Sequence, residues 1–329
     1  MENIAHAFAG LLVAEAVAVW RARPEVPATS QRFARYAAWV SALANNVPDG
    51  DLVLTPLTGG KLGYLLHHRG HTHTVVIGVL LGLLVAALGD GFSRVRGGGP
   101  FGAGDRRWLY GLGAFGPLLH LAMDGWNVYG VHPFWPVDAR WFYGDAVFIL
   151  EPLLWLAAVP LLFRTTRRLG LRILLGLIAA LGLGLPWVLG SFVPVPIRGA
   201  LVLYAALAGL VVWRLSARPR TVATLALFFS TPLVFLLASR MADAAIRGRA
   251  ASAFADERVV DDAISAWPSN PLCWSTVVVS TSTGDDLVLR RASFALAPSL
   301  MPVGRCPRRD EPITAPLVEV AAASDDSLR

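Results

Sequence analysis

Charge is scarce along this chain. Only 16% of its 329 residues are charged, 55% are hydrophobic, and the mean hydropathy is +0.53. Soluble domains carry about 25% charged residues, so this balance excludes an ordinary soluble enzyme and points to an integral membrane protein. Cysteine is nearly absent as well. Cys273 and Cys306 stand without a CxxC spacing, which excludes a thiolate metal site. The opening MENIAHAFAGLL has no basic stretch, and the apolar run it begins carries His6 and Glu15, which argues against a cleaved signal peptide. The GGGP at 97–100 is not followed by Gly-Lys-Ser/Thr and follows no strand, so a phosphate loop is excluded too.

What the chain has in abundance is apolar runs with arginines between them. Segments lie at 4–20, 36–47, 74–92, 108–123, 146–163, 173–192, 199–213 and 221–239. A helix crosses a bilayer with about 20 apolar residues, tolerated from about 17, so 74–92 and 173–192 are secure spans. The shorter 199–213 needs tilt or flanking residues to cross, and 36–47 is either tilted or re-entrant. The expected fold is an all-α polytopic membrane protein of about seven or eight transmembrane helices over residues 1–240. A small soluble α+β domain follows over 241–320, and 321–329 form a disordered tail. Within that appendage, 241–267 reads as an amphipathic helix, and STVVVSTSTGDDLVLRRASFAL as a hairpin turning at Gly-Asp-Asp.

The net charge of +6 comes almost wholly from arginines placed between apolar runs, which is a topology signal rather than a nucleic-acid patch. No nucleic-acid partner is expected; the partner is the lipid bilayer. Alternate connections hold Arg21, Arg23, Arg32, Arg35, then Arg94, Arg96, Arg106, Arg107, then Arg164, Arg167, Arg168, Arg172, then Arg214, Arg218 and Arg220. The other connections hold Lys61, Arg69, Arg140 and Arg198. The positive-inside rule makes the richer face cytoplasmic and both termini external if all eight segments cross.

That topology gathers the ionisable candidates on the outer face. His6 opens the first segment, Asp49 and Asp51 follow the second, and the histidines of HHRGHTHT (67–74) precede the third. His120 and Asp124 end the fourth, while Asp145 and Glu151 begin the fifth. Ionisable groups near a membrane are costly, and such residues mark function by default. His120 and Asp124, four apart on a helix, share a face. Asp49 and Asp51 sit in a turn after Pro48, where two carboxylates can converge. A single His or Asp at a helix end reads equally well as a cap, so the signal lies in the set. Imidazoles with carboxylates and no thiolate suit zinc, manganese or iron(II), as one ion or two. Such an ion lowers the pKa of bound water toward 7. Arg69 suits a bidentate hold on an anion. His132, in VHPFW, packs in a loop with Phe134 and Trp135, part of an interfacial aromatic belt.

In order, His6, PDGD at 48–51, HRGHTHT at 68–74 and HLAMDGWNVYG at 120–130 resemble the YdjM-like family of bacterial membrane-bound predicted metal-dependent hydrolases. The resemblance maps His68, Arg69, Thr72 and His73 onto that family's loop motif, with Thr74 in place of serine and His71 on its variable position. It also maps Asp49, Asp51, His120, Asp124, Tyr129 and Gly130. Glu-Pro at 151–152 replaces the usual aspartate-proline, and NPLCW at 270–274 resembles a stretch in members with an appended domain. A fainter similarity links the order of His, Asp, His and HxxxD to zinc-dependent phospholipase C and the S1/P1 nucleases. That similarity implies a phosphoester substrate. Their N-terminal tryptophan ligand is absent, and Met1 to Asn3 offer no equivalent.

The resulting expectation is a metal-dependent hydrolase of the bacterial inner membrane, most simply using zinc. Its ligands are drawn from His6, Asp49, Asp51, His68, His73, His120 and Asp124. Asp51 or Glu151 serves as base, and Arg69 orients a phosphoester or lipid-linked substrate at the periplasmic surface. The rival reading is a non-enzymatic metal-binding protein, a transporter or a sensor. Transport would place acids or histidines deep in several helices, and 173–192, 199–213 and 221–239 contain none. If the C-terminal domain is external, Cys273 and Cys306 are able to pair.

Overall fold

A computed structural model describes residues 1–22, 27–58, 60, 64, 68–255, 257–281 and 287–307. Among the described residues eight helices come first: α1 (Asn3–Arg21), α2 (Pro27–Ala44), α3 (Val75–Ser93), α4 (Ala103–Asp124), α5 (Pro152–Thr165), α6 (Leu169–Val188), α7 (Val195–Arg214) and α8 (Ala217–Ala253). Three strands follow, β1 (Arg258–Trp267), β2 (Asn270–Thr281) and β3 (Leu287–Ala295). Between α2 and α3 the chain runs as 3-10 turns at Val47–Thr58 and His71–His73.

Among the described residues five helical stretches are long and apolar enough to cross a membrane, by length and composition: Asn3–Arg21, Val75–Arg96, Leu169–Val188, Val195–Arg214 and Ala217–Ala253. This is somewhat fewer than the seven or eight expected. The reasons lie in the other three helices. α2 carries Arg32 and Arg35, α4 carries Asp105, Arg106, Arg107, His120 and Asp124, and α5 has only 14 residues. A 14-residue helix is about 21 Å long, short of a bilayer's hydrocarbon core. α5 is instead wrapped by protein, with Leu154, Trp155, Ala158 and Leu161 fully buried. The spans turn apolar side chains outward: Leu80, Leu84 and Leu88 on α3, Leu174, Leu177 and Leu181 on α6, and Leu203, Leu207 and Leu210 on α7 are all exposed. Such a surface suits lipid rather than water.

Small residues bring the helices close. A Cβ on Gly82 of α3 would lie 2.0 Å from the Gly113 carbonyl oxygen of α4, and one on Gly10 of α1 would lie 2.5 Å from the Ser41 carbonyl oxygen of α2. Without a hydrophobic drive between helices in lipid, backbone contacts of this kind hold them by packing. They also fix how the helix ends meet. At one end lie the arginine pairs: Arg21 with Asp105 at 2.5 Å, Arg94 with Asp90 at 2.6 Å, and Arg106 with Asp90 at 3.2 Å. At the opposite end lie the start of α1, the end of α2, the start of α3 and the end of α4.

The C-terminal sheet has the order β1-β2-β3, antiparallel throughout. The expected hairpin is the β2–β3 pair, from Cys273 opposite Ala295 to Thr281 opposite Leu287; its Gly-Asp-Asp turn lies outside the described residues, as does the expected tail. The expected helix over 241–267 is corrected. α8 runs on to Ala253, and Arg258–Trp267 is a strand whose Ile264, Ala266 and Trp267 are buried. Ile264, Ala266, Trp274 and Phe294 share one core with Phe8, Trp155, Ala242 and Ile246 of the helices. A disulfide, Cys273–Cys306, ties β2 to the segment after β3, with Cα atoms 5.6 Å apart.

Candidate metal centre

At the end opposite the arginine pairs, α1, the turn after α2, the turn before α3 and α4 each deliver one part of the cluster. Glu2 caps α1, its carboxylate accepting from the Ala5 N–H at 2.9 Å, and this leaves His6 in the first turns facing the bundle. Asn46 closes α2 through its side-chain amide to the Ala42 carbonyl, and Pro48 starts the 3-10 turns that carry Asp49 and Asp51. Thr74 caps α3, accepting from the Ile77 N–H at 3.4 Å, and sets His73 just before it. His120 and Asp124 occupy the last turn of α4 before Gly125.

Four donors meet here. Asp49, His73, His120 and Asp124 each offer one ligand atom, all lying within 4.8 Å of one another. The separations are informative: His73 Nε2 to His120 Nε2 is 3.2 Å, and to Asp49 Oδ1 3.3 Å. His120 Nε2 to Asp49 Oδ1 is 3.5 Å, and both histidines lie 3.6 Å from Asp124 Oδ2. Most of these are long for N–H···O hydrogen bonds, which run from about 2.7 to 3.2 Å. A tetrahedron with metal–ligand bonds of about 2.0–2.1 Å has edges of about 3.3–3.4 Å. The donors therefore stand at the mutual spacing of ligands around one ion.

Tautomers agree with this. His120 Nδ1 donates to the Asn45 carbonyl at 2.8 Å. Thr72 Oγ1 donates to Asp51 Oδ2 at 2.7 Å, which frees the hydroxyl oxygen to accept from His73 Nδ1 at 3.1 Å. Both protons assigned to Nδ1, the two Nε2 atoms face each other as lone pairs, an arrangement that a cation between them stabilises. His6 lies beside the quartet. Its ring stacks on His120 with centroids 3.8 Å apart, its Nε2 lies 3.3 Å from Asp124 Oδ1, and neither ring nitrogen has a hydrogen-bond partner among the described residues.

A second, overlapping group comprises Asp51, His68 and His73. Its spacing is tighter. Asp51 Oδ1 lies 3.0 Å from His68 Nδ1, while Oδ2 accepts from the Arg69 N–H at 3.1 Å and from Thr72 at 2.7 Å, with His73 Nδ1 at 3.4 Å. Burial opposes ionisation of Asp51, and the partners His68, His73 and Thr72 overcome it, so its carboxyl is held low.

Arg69, only 5% exposed, sits beside the cluster in the left-handed backbone region at φ 63°. Its guanidinium pairs with Asp124 at 3.0 Å, donates to the Gly130 carbonyl at 2.8 Å and to Asn127 Oδ1 at 3.3 Å, and lies over the Tyr129 ring. Glu151 is not brought into the cluster. Its carboxylate caps α5 through the Leu153 N–H and accepts from the Ser269 N–H at 2.9 Å and Ser269 Oγ at 2.7 Å, binding the β1–β2 turn to the helices. His132 lies in the expected loop, its carbonyl accepting from the Trp135 N–H at 3.3 Å; its ring packs on Trp141, and the His71 ring meets Trp135. His67 and Lys61 lie outside the described residues.

Residues 1–3, which carry no equivalent of the tryptophan ligand, nevertheless reach the site. The Met1 amino group pairs with Asp124, and Asn3 Nδ2 donates to Asp49 Oδ2 at 2.9 Å. Asn3, Asn127 and the Asn45 carbonyl escaped sequence reasoning. A backbone acceptor leaves no mark in sequence, and a lone asparagine carries no charge to flag it.

Fold and site together define a multi-pass helical membrane protein with a buried histidine–carboxylate cluster able to hold a metal ion. Residues 1–240 match the model of the YdjM inner membrane protein family, and the chain belongs to that family. No curated protein and no solved structure matches it. The fainter likeness to phospholipase C and the nucleases therefore gains no support. β1, β2 and β3 lie beyond the matched residues.

Proposed function

We propose that this protein is a metal-dependent hydrolase acting on a phosphoester or lipid-linked substrate at the outer surface of the inner membrane. The observation that carries the reading is the quartet Asp49, His73, His120 and Asp124, with all donors within 4.8 Å of one another, the five separations that involve a histidine at 3.2–3.6 Å, and His6 beside it. Imidazole and carboxylate donors without thiolate suit zinc, with manganese and iron(II) as alternatives. A zinc ion held by Asp49, His73, His120 and Asp124 would supply Lewis-acid activation of water and of a phosphoryl group. The chain's own residues do the rest. Asn45 and Thr72 fix the histidine tautomers, Asn3 orients Asp49, and Arg69 adds a positive charge that favours an anionic substrate.

The outward assignment is supported by the site standing at the end opposite the arginine pairs, and by the disulfide, which suits an oxidising compartment. A headgroup-level site suits a substrate whose polar part lies at that depth. The second reading, a metal held for structure or sensing, is favoured by burial: His6, His73 and His120 are 0% exposed and Asp124 1%. Closed sites tend to be structural, and catalytic ones keep an open position. Purified protein assayed on phospholipids and isoprenoid phosphates, with and without chelator, decides between them. Chelator-sensitive turnover supports the hydrolase, and metal binding without turnover on any substrate supports the structural reading.

A further inference from the structure

We infer that Asp51 is a positioning carboxylate rather than a ligand, and that the loop folded around it aims His73 Nε2 at a single ion held by Asp49, His73, His120 and Asp124. This rests on the metal-binding reading above. It settles two questions that the residues leave open: whether one ion or two is bound, and which of the two aspartates in PDGD touches it.

Lone pairs distinguish the two aspartates. A carboxylate offers about four acceptor sites. Those of Asp51 are approached by the His68 ring at 3.0 Å, the Arg69 N–H at 3.1 Å, the Thr72 hydroxyl at 2.7 Å and the His73 ring at 3.4 Å. All four partners come from one loop of six residues, His68 to His73. Asp49, two residues earlier, differs: beyond the amide of Asn3, its neighbours are the Nε2 atoms of His73 and His120 at 3.3 and 3.5 Å. So PDGD sends one carboxylate to the ion and the other to the loop that supplies a ligand.

His73 decides the count. It belongs to both donor groups, through Nε2 in one and Nδ1 in the other. A neutral imidazole has one lone pair, and here Nδ1 faces acceptors, the Thr72 hydroxyl and the Asp51 carboxylate, which place its proton. Two ions would require both nitrogens bare. The left-handed backbone of Arg69 fits the same account, since that conformation costs a non-glycine residue energy and coincides with its N–H reaching Asp51.

The test uses full-length protein in detergent, loaded with zinc for stoichiometry and affinity, and with cobalt(II) for its ligand-field spectrum. Wild type should bind one equivalent. Asp51→Asn should still bind one, with affinity weakened roughly 10- to 100-fold, as for other residues that orient ligands. Its cobalt spectrum should keep the same coordination number. Thr72→Val, a milder change that keeps the carboxylate, should weaken affinity in the same direction should Asp51→Asn fail to fold. His68→Ala should retain one equivalent, and Asp49→Asn should lose it. Two equivalents in wild type, one of them lost in Asp51→Asn or His68→Ala, would overturn the inference while leaving the metal reading intact. No zinc bound by wild type would overturn both.

Discussion

The Nε2 atoms of His73 and His120 face each other at 3.2 Å, each ring having its Nδ1 bonded elsewhere, to Thr72 and to the Asn45 carbonyl. Two opposed lone pairs in a buried site are held apart by nothing but packing unless a cation lies between them. Zinc should therefore stabilise the protein as well as equip it. At a free concentration one hundred times Kd, the gain is about 2.7 kcal/mol. Thermal unfolding in detergent should shift upward with zinc and return on chelation, and His120→Ala should show no shift.

Arg69 and Asp124 form a buried pair at 3.0 Å, with side chains 6% and 1% exposed. Removing one partner of such a pair costs about 3–5 kcal/mol, because the other charge is left buried alone. In metal-free protein, Asp124→Ala should therefore unfold well below wild type. The double variant Asp124→Ala, Arg69→Met should recover part of the loss. Unfolding midpoints of the two variants that coincide would show the pair to be energetically unimportant.

Asp51 links stability to pH with a definite sign. Its carboxyl is held below the ordinary value of 3.8 in the folded chain, so its partners contribute stability above that value and lose it as pH falls through the folded one. Metal-free wild type should lose its advantage over Asp51→Asn as the pH drops below about 4. Urea midpoints measured for both proteins across that range check it; a gap that stays constant with pH contradicts it.

The Cys273–Cys306 bond closes a loop with a sequence separation of 33 residues. A cross-link of this span contributes about 3.7 kcal/mol in the chain-entropy picture. Cys306→Ser should lower the stability of the sheet by that order. In intact cells, the wild-type cysteines should resist alkylation until a reductant is added, as an outward-facing domain requires. Both thiols alkylated without reductant would place the sheet in the cytoplasm.

Much of this architecture is legible in the sequence because bilayer crossing imposes a crude rule. The apolar segments at 74–92 and 173–192 coincide closely with α3 and α6, and the arginines mark the other end. The span count exceeds the number found where a helix is short and sheltered by protein, as α5 is. β1 was hidden because Arg258–Trp267 alternates charge and apolar residues loosely enough to suit a helix, and only its pairing with β2 selects the strand. At the site, helix-end position brought Asp49, His73, His120 and Asp124 into view. Spacing alone could not separate Asp49 from Asp51, whose neighbours are set by a loop folding back. Nor could it show Glu151 facing Ser269, 118 residues away.

X-ray absorption at the zinc edge of the loaded, full-length protein tests the central claim most directly. The account predicts a single shell of nitrogen and oxygen at about 2.0–2.1 Å, with outer-shell scattering from two or three imidazoles and neither sulfur nor a second metal. A spectrum without imidazole scattering, or zinc absent after loading, would contradict it.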